Sequence, residues 1–406
     1  MRPPHKSTRL TALCTAVYFV SYLSRINLAA VMVALIQSGF ADRETAALAL
    51  TLSAVTYGLG QIVSGWLGDR FRPQNVIFFG FLLTGTVNLW VSFLPNASLL
   101  APLWAVNGFA QACMWPPLIS IMNRHLSPEE YSRACVWVYW GSSLGSVFVY
   151  AFAPLLIRAG GFRPVFGASG AIALAMALLW KTAYEKNFRG DGKAVRAART
   201  ADPNAPAKPF DRNAVSLMLM IMAAIILQGA LRDGVTNWMP TFLSESFSLS
   251  SSSAIFAGIL LPLFQIPCTK LAAWFYRKHL PNEAASSAVI FTLGAAAATL
   301  LPLSLHRSVI LSALLMALTA GAMHGVNFIL ISMTPPCFRP YGHISLISGA
   351  LNCCTYLGSA FSTYGVALFS DSLGWQGTSL LWAALAAAGA ALCFSISGHW
   401  KRFRAE

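Results

Sequence analysis

The chain has 406 residues, of which 56% are hydrophobic and only 10% charged, and its formal net charge is +14. A water-soluble protein of that composition would lack the polar residues to cover its surface, so a soluble globular domain is excluded and the solvent must be lipid. The positive charge does not point to nucleic acid, because the basic residues collect in particular connections between apolar runs.

A run needs about 20 residues to cross a roughly 30 Å hydrocarbon layer. Twelve such runs occur, at 10–37, 45–67, 75–94, 98–123, 132–157, 164–184, 214–243, 253–275, 285–304, 308–334, 343–370 and 375–398. They predict an all-α membrane protein of twelve transmembrane helices, numbered here as spans 1 to 12. Span 1 has no small-residue cleavage site after a short core, so it reads as a retained span and not as a removable signal peptide. Within it Tyr18, Tyr22 and Arg25 fall at i, i+4 and i+7, which puts two phenols and a guanidinium on one helix face. An arginine near the middle of a span costs roughly 2.5–3.5 kcal/mol on insertion scales and usually faces a cavity or a partner. The bland alternative is snorkelling to an interface. Span 2 ends in a polar knot, Gly65-Trp66-Leu67-Gly68-Asp69-Arg70-Phe71-Arg72, which on its own is a charged helix end. Span 5 carries Gly141-x-x-x-Gly145, a spacing that lets two helices approach closely in lipid.

Residues 185–213, with seven Lys or Arg, four acids and three prolines, read as a linker between an N-terminal half, 1–184, and a C-terminal half, 214–406. Span 7 repeats the situation of span 1: Arg232 lies deep in the run, with Gln228 one turn before it. Asp233 follows about 100° further round the helix, either as a proton-coupling carboxylate or as an acid offsetting Arg232. Span 10 carries Gly321-x-x-x-Gly325 and His324, which either contacts substrate or bonds a neighbouring helix. The eight cysteines form no C-x-x-C pair and read as packing thiols, not as disulfides or metal ligands. No Walker loop, catalytic acid pair or nucleophile triad is present, so the sequence supports neither an enzyme nor a cofactor.

The halves echo each other. Arg25 and Arg232 lie 207 positions apart, Trp66 and Trp274 lie 208 apart, and Gly161-Phe162 before span 6 answers Gly374-Trp375 before span 12. A parallel duplication of this kind predicts two six-helix halves related by a pseudo-two-fold axis along the membrane normal. With the N-terminus inside, the termini and even-numbered connections hold 20 of the 28 Lys and Arg, and the opposite side holds only Arg43, Arg158, Arg163 and Arg307. The positive-inside rule then places both termini in the cytoplasm.

The knot at 65–72 resembles the G-x-L-x-D-R-x-x-[RK] pattern of the major facilitator superfamily, with Arg72 one place early. The resemblance implies a conformational latch at Gly65, Asp69 and Arg70. The corresponding Trp274-Phe275-Tyr276-Arg277-Lys278 lacks an acid, which predicts a weaker latch there. Over nearly the whole chain the sequence also resembles the organophosphate:phosphate antiporter family, which includes glycerol-3-phosphate and hexose-phosphate transporters. The matching residues are Tyr18, Tyr22, Arg25, Asn27, Tyr57-Gly58, Asn107-Gly108, Gln111, Trp115-Pro116-Pro117, Trp137, Arg232, Trp238, Pro240-Thr241 and Gly374-Trp375. By that likeness Arg25 and Arg232 bind the phosphoryl group and Tyr18 and Tyr22 line the site, with Gln61 and Trp137 as further substrate candidates. The departures are Ile26 and Gln61 where lysines are expected, Gly141 where a histidine is common, and Pro262 where an acid is expected. Fewer cations make a singly charged carboxylate or ester more plausible than a doubly charged phosphate.

The sequence therefore predicts a monomeric secondary active transporter, in a cell (inner) membrane, that moves a small organic anion by alternating access through phosphate exchange or ion-coupled symport. Arg25 and Arg232 would hold the anion, with Gln228 and His324 as further contacts and Asp233 as the coupling candidate. Two alternatives stay open: a proton-coupled carrier of a neutral solute or drug, and a transport-incompetent membrane sensor.

Overall fold

Helix starts are set by short polar side chains that accept the first free backbone N–H groups. Asp42 accepts from Thr45 N at 2.7 Å to open span 2. Ser127 and Glu130 form a reciprocal capping box that opens span 5. Asp211 and Asn282 open spans 7 and 9 by accepting from Ala214 N at 2.7 Å and Ala285 N at 2.9 Å. A computed structural model describes residues 4–188, 209–248, 260–305 and 307–405. The centre of the expected linker, 189–208, and the first residues of the expected span 8 lie outside the described residues.

Among the described residues the helices fall into twelve rods and no strand occurs. The first six are Pro4–Arg25 with Asn27–Gln37, Arg43–Arg70, Pro73–Phe93, Leu100–Ala112 with Trp115–His125, Pro128–Gly160, and Arg163–Phe188. The last six are Arg212–Phe247, Leu260–Lys278, Glu283–Ser304, Val309–Asn327 with a π-helical extension Phe328–Met333, and the two arms of Ile344–Ala405 on either side of a non-helical Gly374. Ten of these helices are long and apolar enough to cross a membrane. Span 4 is divided at Cys113-Met114, so neither of its pieces is long enough alone, and the described part of span 8 carries Lys270, Arg277 and Lys278.

The distribution of side chains is that of a protein in lipid. Large apolar groups such as Phe93, 77% exposed, and Phe394, 74% exposed, face outward. The amides of Asn27, Asn88, Asn107, Gln61 and Gln228 are buried.

The chain divides into two units, Met1–Lys208 with Phe338–Ala350, and Pro209–Cys337 with Leu351–Glu406. In the first unit Gly141 and Gly145 lie against span 1: a Cβ on either would come within 2.7 Å of Thr15 O or 2.6 Å of Phe19 O. In the second, Gly321 and Gly325 lie against span 8, where a Cβ would meet Cys268 Sγ at 2.7 Å and Ala272 Cβ at 2.9 Å. Both small-residue spacings thus mark helix contacts. The echo seen in the sequence extends to backbone conformation. Gly161 (φ 73, ψ −161) and Gly374 (φ 64, ψ −175) make the same left-sided turn before spans 6 and 12, a region where a Cβ is strained.

Candidate functional site

In the first unit the site is built around a break in span 1. The helix stops at Arg25 and resumes at Asn27, and Leu28 N is bonded to Asn27 Oδ1 at 3.1 Å instead of to the carbonyl of Ser24. That carbonyl accepts from Asn107 Nδ2 at 3.0 Å and Asn88 Nδ2 at 3.4 Å. Asn88 Oδ1 accepts from Asn27 Nδ2 at 2.7 Å, and Gln111 Nε2 donates to Thr84 Oγ1 at 2.9 Å. A broken helix in lipid needs such substitutes for its lost backbone bonds, and this buried amide network supplies them. Asn27, Asn107 and Gln111 are among the residues that carry the family resemblance in the sequence, and Asn88 is the one amide of this network that the sequence did not single out. Their legible signal is a set of carboxamides at separate spans of otherwise apolar composition.

Arg25 therefore sits at the end of a helix segment. Its guanidinium carbon lies 3.8 Å from the centre of the Tyr57 ring and 5.3 Å from that of Tyr22. Cation–π contact with two rings orients the planar fork and keeps its positive charge inside the protein. Tyr18 packs on Tyr22 at 5.6 Å and on Trp115 at 5.1 Å, and Trp115 packs on Tyr139 at 5.3 Å. The break at 113–114 carries Trp115 into this cluster, where its Nε1 is buried without a hydrogen bond to any described residue. The structure thus joins Tyr18, Tyr22 and Arg25 as expected from their spacing, and adds Tyr57, Trp115 and Tyr139. Trp137 does not join them: it is 53% exposed with its ring against Trp140. Tyr139 lies about 160° round the helix from Trp137, so the rotation that brings Tyr139 to Trp115 turns Trp137 away. Gln61 is buried where span 2 meets the helix that begins at Ile344, and a Cβ on Gly349 would collide with the Gln61 carbonyl.

In the second unit Arg232 and Asp233 form a fork-to-fork pair, Nε to Oδ1 at 2.6 Å and a terminal NH2 to Oδ2 at 2.8 Å. The 100° between adjacent helical positions did not keep them apart, because both side chains bend along the helix surface to meet. Their side chains are only 14% and 20% exposed. Ser359 in span 11 is hydrogen-bonded to Asp233, and His324 in span 10 lies near enough to interact with both charges. Gln228 is committed elsewhere: its Nε2 donates to Met323 O at 3.1 Å and its Oε1 accepts from Asn327 Nδ2 at 3.2 Å. It ties span 7 to span 10 as a structural amide, the counterpart of the network behind Arg25.

The knot at the end of span 2 is a helix cap. Asp69 accepts from Ser345 N at 3.0 Å and Leu346 N at 2.8 Å, using both oxygens on the free N–H groups of the helix that begins at Ile344. Gly65 permits the contact, since a Cβ there would lie 2.6 Å from Ser345 O. Arg70 lies over Trp66 at 5.5 Å. In the second unit the acid missing from 274–278 is supplied by Glu283, which the sequence reading did not single out. It is 1% exposed and accepts from Tyr276 OH at 2.7 Å, from Trp400 Nε1 at 2.7 Å and from Arg404, whose NH1 is 3.1 Å away.

The sequence profile described as Major Facilitator Superfamily matches residues 14–363. A probable hexose phosphate transport protein of Chlamydia pneumoniae is 22% identical over 302 residues, covering 68% of this chain and 66% of that protein. The membrane sensor protein UhpC of Salmonella typhimurium is 23% identical over 293 residues, again covering 68% and 66%. The chain thus spans just under two thirds of the length of these relatives, and 36% of the length of a second hexose phosphate transport protein from Chlamydia muridarum. Among solved structures, the superfamily transporter FucP in its outward conformation superposes with a TM-score of 0.74 at 13% identity, covering 98% of both chains.

Proposed function

The chain belongs to the Major Facilitator Superfamily, and on that premise we propose that it is a secondary active transporter of a small, singly charged organic anion, working by alternating access in a cell membrane with both termini cytoplasmic. The observation that carries the reading is Arg25, held over Tyr57 and Tyr22 at a break in span 1 whose freed carbonyl is satisfied by amides. A guanidinium kept at that depth, with its plane fixed by aromatic rings, is suited to grip a carboxylate or ester oxygen pair bidentately. Tyr18, Tyr22 and the indole N–H of Trp115 would offer neutral hydrogen bonds to the remainder of the molecule. Arg232 is the second recognition candidate, in the other unit, with His324 beside it.

Charge count supports a singly charged substrate. Ile26 and Gln61 add no cation near Arg25, and Asp233 offsets Arg232. The Asp69 cap on the helix at Ile344 is the proposed latch, with Gly65 giving it room and Arg70 beside it. The Chlamydia relative, named as a hexose phosphate transport protein, supports anion transport. The Salmonella relative, named as a membrane sensor, supports the second reading, a ligand-binding sensor.

A thermal-shift screen of the detergent-purified protein against phosphate esters, carboxylates and neutral sugars tests the substrate class. Anions alone should raise Tm, and Arg25→Lys should weaken their binding at least about tenfold because lysine keeps the charge but not the stacked planar fork. Near-normal anion affinity in Arg25→Lys, or stabilisation by neutral sugars alone, defeats the reading in favour of a neutral-solute carrier. Uptake into proteoliposomes separates transporter from sensor.

A further inference from the structure

We propose, resting on the anion-transport reading above, that Asp233 competes with the anionic group of the substrate for the charge of Arg232, so that the protein takes up one proton at Asp233 with each anion it binds. The pair is arranged for such competition. Both oxygens of Asp233 occupy the Nε and NH2 edge of Arg232 at 2.6 and 2.8 Å, the geometry that an incoming carboxylate or ester would adopt. The pair is neutral and largely buried. An added anion would leave a net negative charge in a low-dielectric surrounding, whereas an anion together with a proton leaves none. Of the fourteen acids in the sequence, Asp233 is the one placed deep within an apolar run; the others lie in the linker, near span ends or at the C-terminus.

The groups around the pair fit a proton that comes and goes. On span 7 itself the charged neighbour is Arg232. Span 10 contributes His324, and span 11 contributes Ser359, which is hydrogen-bonded to Asp233 and can accept from the protonated acid as readily as it donates to the carboxylate. Span 12 contributes Trp382, which does not titrate and whose Nε1 a Cβ on Gly234 would approach at 3.5 Å. The step is a proton transfer: an O–H bond forms on Asp233 with a proton from solvent, the ion pair opens, and the guanidinium passes to the substrate. Release of the anion returns the proton.

The test uses lactate and glucose 6-sulfate, which remain singly charged from roughly pH 6 to pH 8.5, so that any pH effect belongs to the protein. Affinity of the purified wild-type chain for whichever probe binds should weaken by about tenfold per pH unit across that range, and a weakly buffered solution should lose close to one proton per probe bound. Asp233→Asn should bind with an affinity that is flat with pH and at least as tight as that of the wild type at about pH 6, and His324→Gln should keep the slope. Wild-type binding without slope or proton uptake overturns the proposal and leaves anion transport standing. So does a slope that survives in Asp233→Asn or vanishes in His324→Gln, or a folded Asp233→Asn that binds nothing. Failure of every anion, including glucose 6-phosphate, to bind the wild type overturns the anion reading and this inference with it.

Discussion

Glu283 illustrates what a buried charge does at the scale of one residue. It has four donors of different kinds, a phenol, an indole, a guanidinium and a thiol, from Tyr276, Trp400, Arg404 and Cys337. Removing one partner of a buried pair leaves the other uncompensated, which costs far more than the pair contributes. Glu283→Ala should therefore destabilise the protein by about 3 kcal/mol, at the lower end of the range for buried pairs because Arg404 is a third exposed. Trp400→Phe, losing one hydrogen bond to a charged group, should cost about 2 kcal/mol. Thermal unfolding in detergent checks both, and a Tm unchanged in Glu283→Ala would show that the cluster contributes nothing. Asn107→Leu makes the same argument for the amide network: the Ser24 carbonyl would lose its closest donor, at a cost of about 1–3 kcal/mol. Because Arg25 sits next to that carbonyl, anion affinity should fall along with stability.

At the scale of elements, the helix that begins at Ile344 starts in an unusual way. Its first N–H groups are capped by Asp69, 276 positions earlier in the chain, and not by a residue preceding it. Asp69→Ala would remove the cap and an anion at the positive end of a helix, while leaving the Arg25 cluster untouched. The expected outcome is normal anion binding in detergent with uptake into proteoliposomes reduced severalfold or more. Uptake equal to wild type would remove the latch role. Gly65→Ala should have the same signature through crowding, since its Cβ would press on Ser345 O and Leu346 Cα.

At the scale of the whole molecule, the distribution of the 28 basic residues predicts an orientation with both termini in the cytoplasm. Cysteine substituted for Glu129, at the start of span 5, should be shielded from a membrane-impermeant maleimide in intact cells, and cysteine substituted for Arg307, before span 10, should be labelled. The reverse pattern would invert the topology. Six of the eight native cysteines are buried, and Cys268 and Cys337 are half-buried, so a cysteine-free background is the appropriate host.

The number and position of the spans were legible because a helix in lipid must satisfy its backbone within itself, which makes each span a local property of about 20 residues. The same locality made the Tyr18, Tyr22 and Arg25 face readable, since one helix fixes their relative directions. Membership of the superfamily could be read from the polar knot at 65–72, because helix ends carry their charges in a short contiguous stretch. Packing decided the remainder. How far each span is rotated about its axis depends on which neighbour its small residues meet, so only the folded chain put Tyr139 in the aromatic cluster and Trp137 outside it. Which polar groups meet depends in turn on rotation and on side-chain reach. Tyr57 at Arg25, Gln228 bound to Asn327, and Glu283 bonded to Trp400 and Arg404 are therefore facts of tertiary structure: each joins groups whose spacing along the chain carries no information about their separation in space, whereas the pairing of Asp233 with Arg232 was one of two readings that adjacency itself left open.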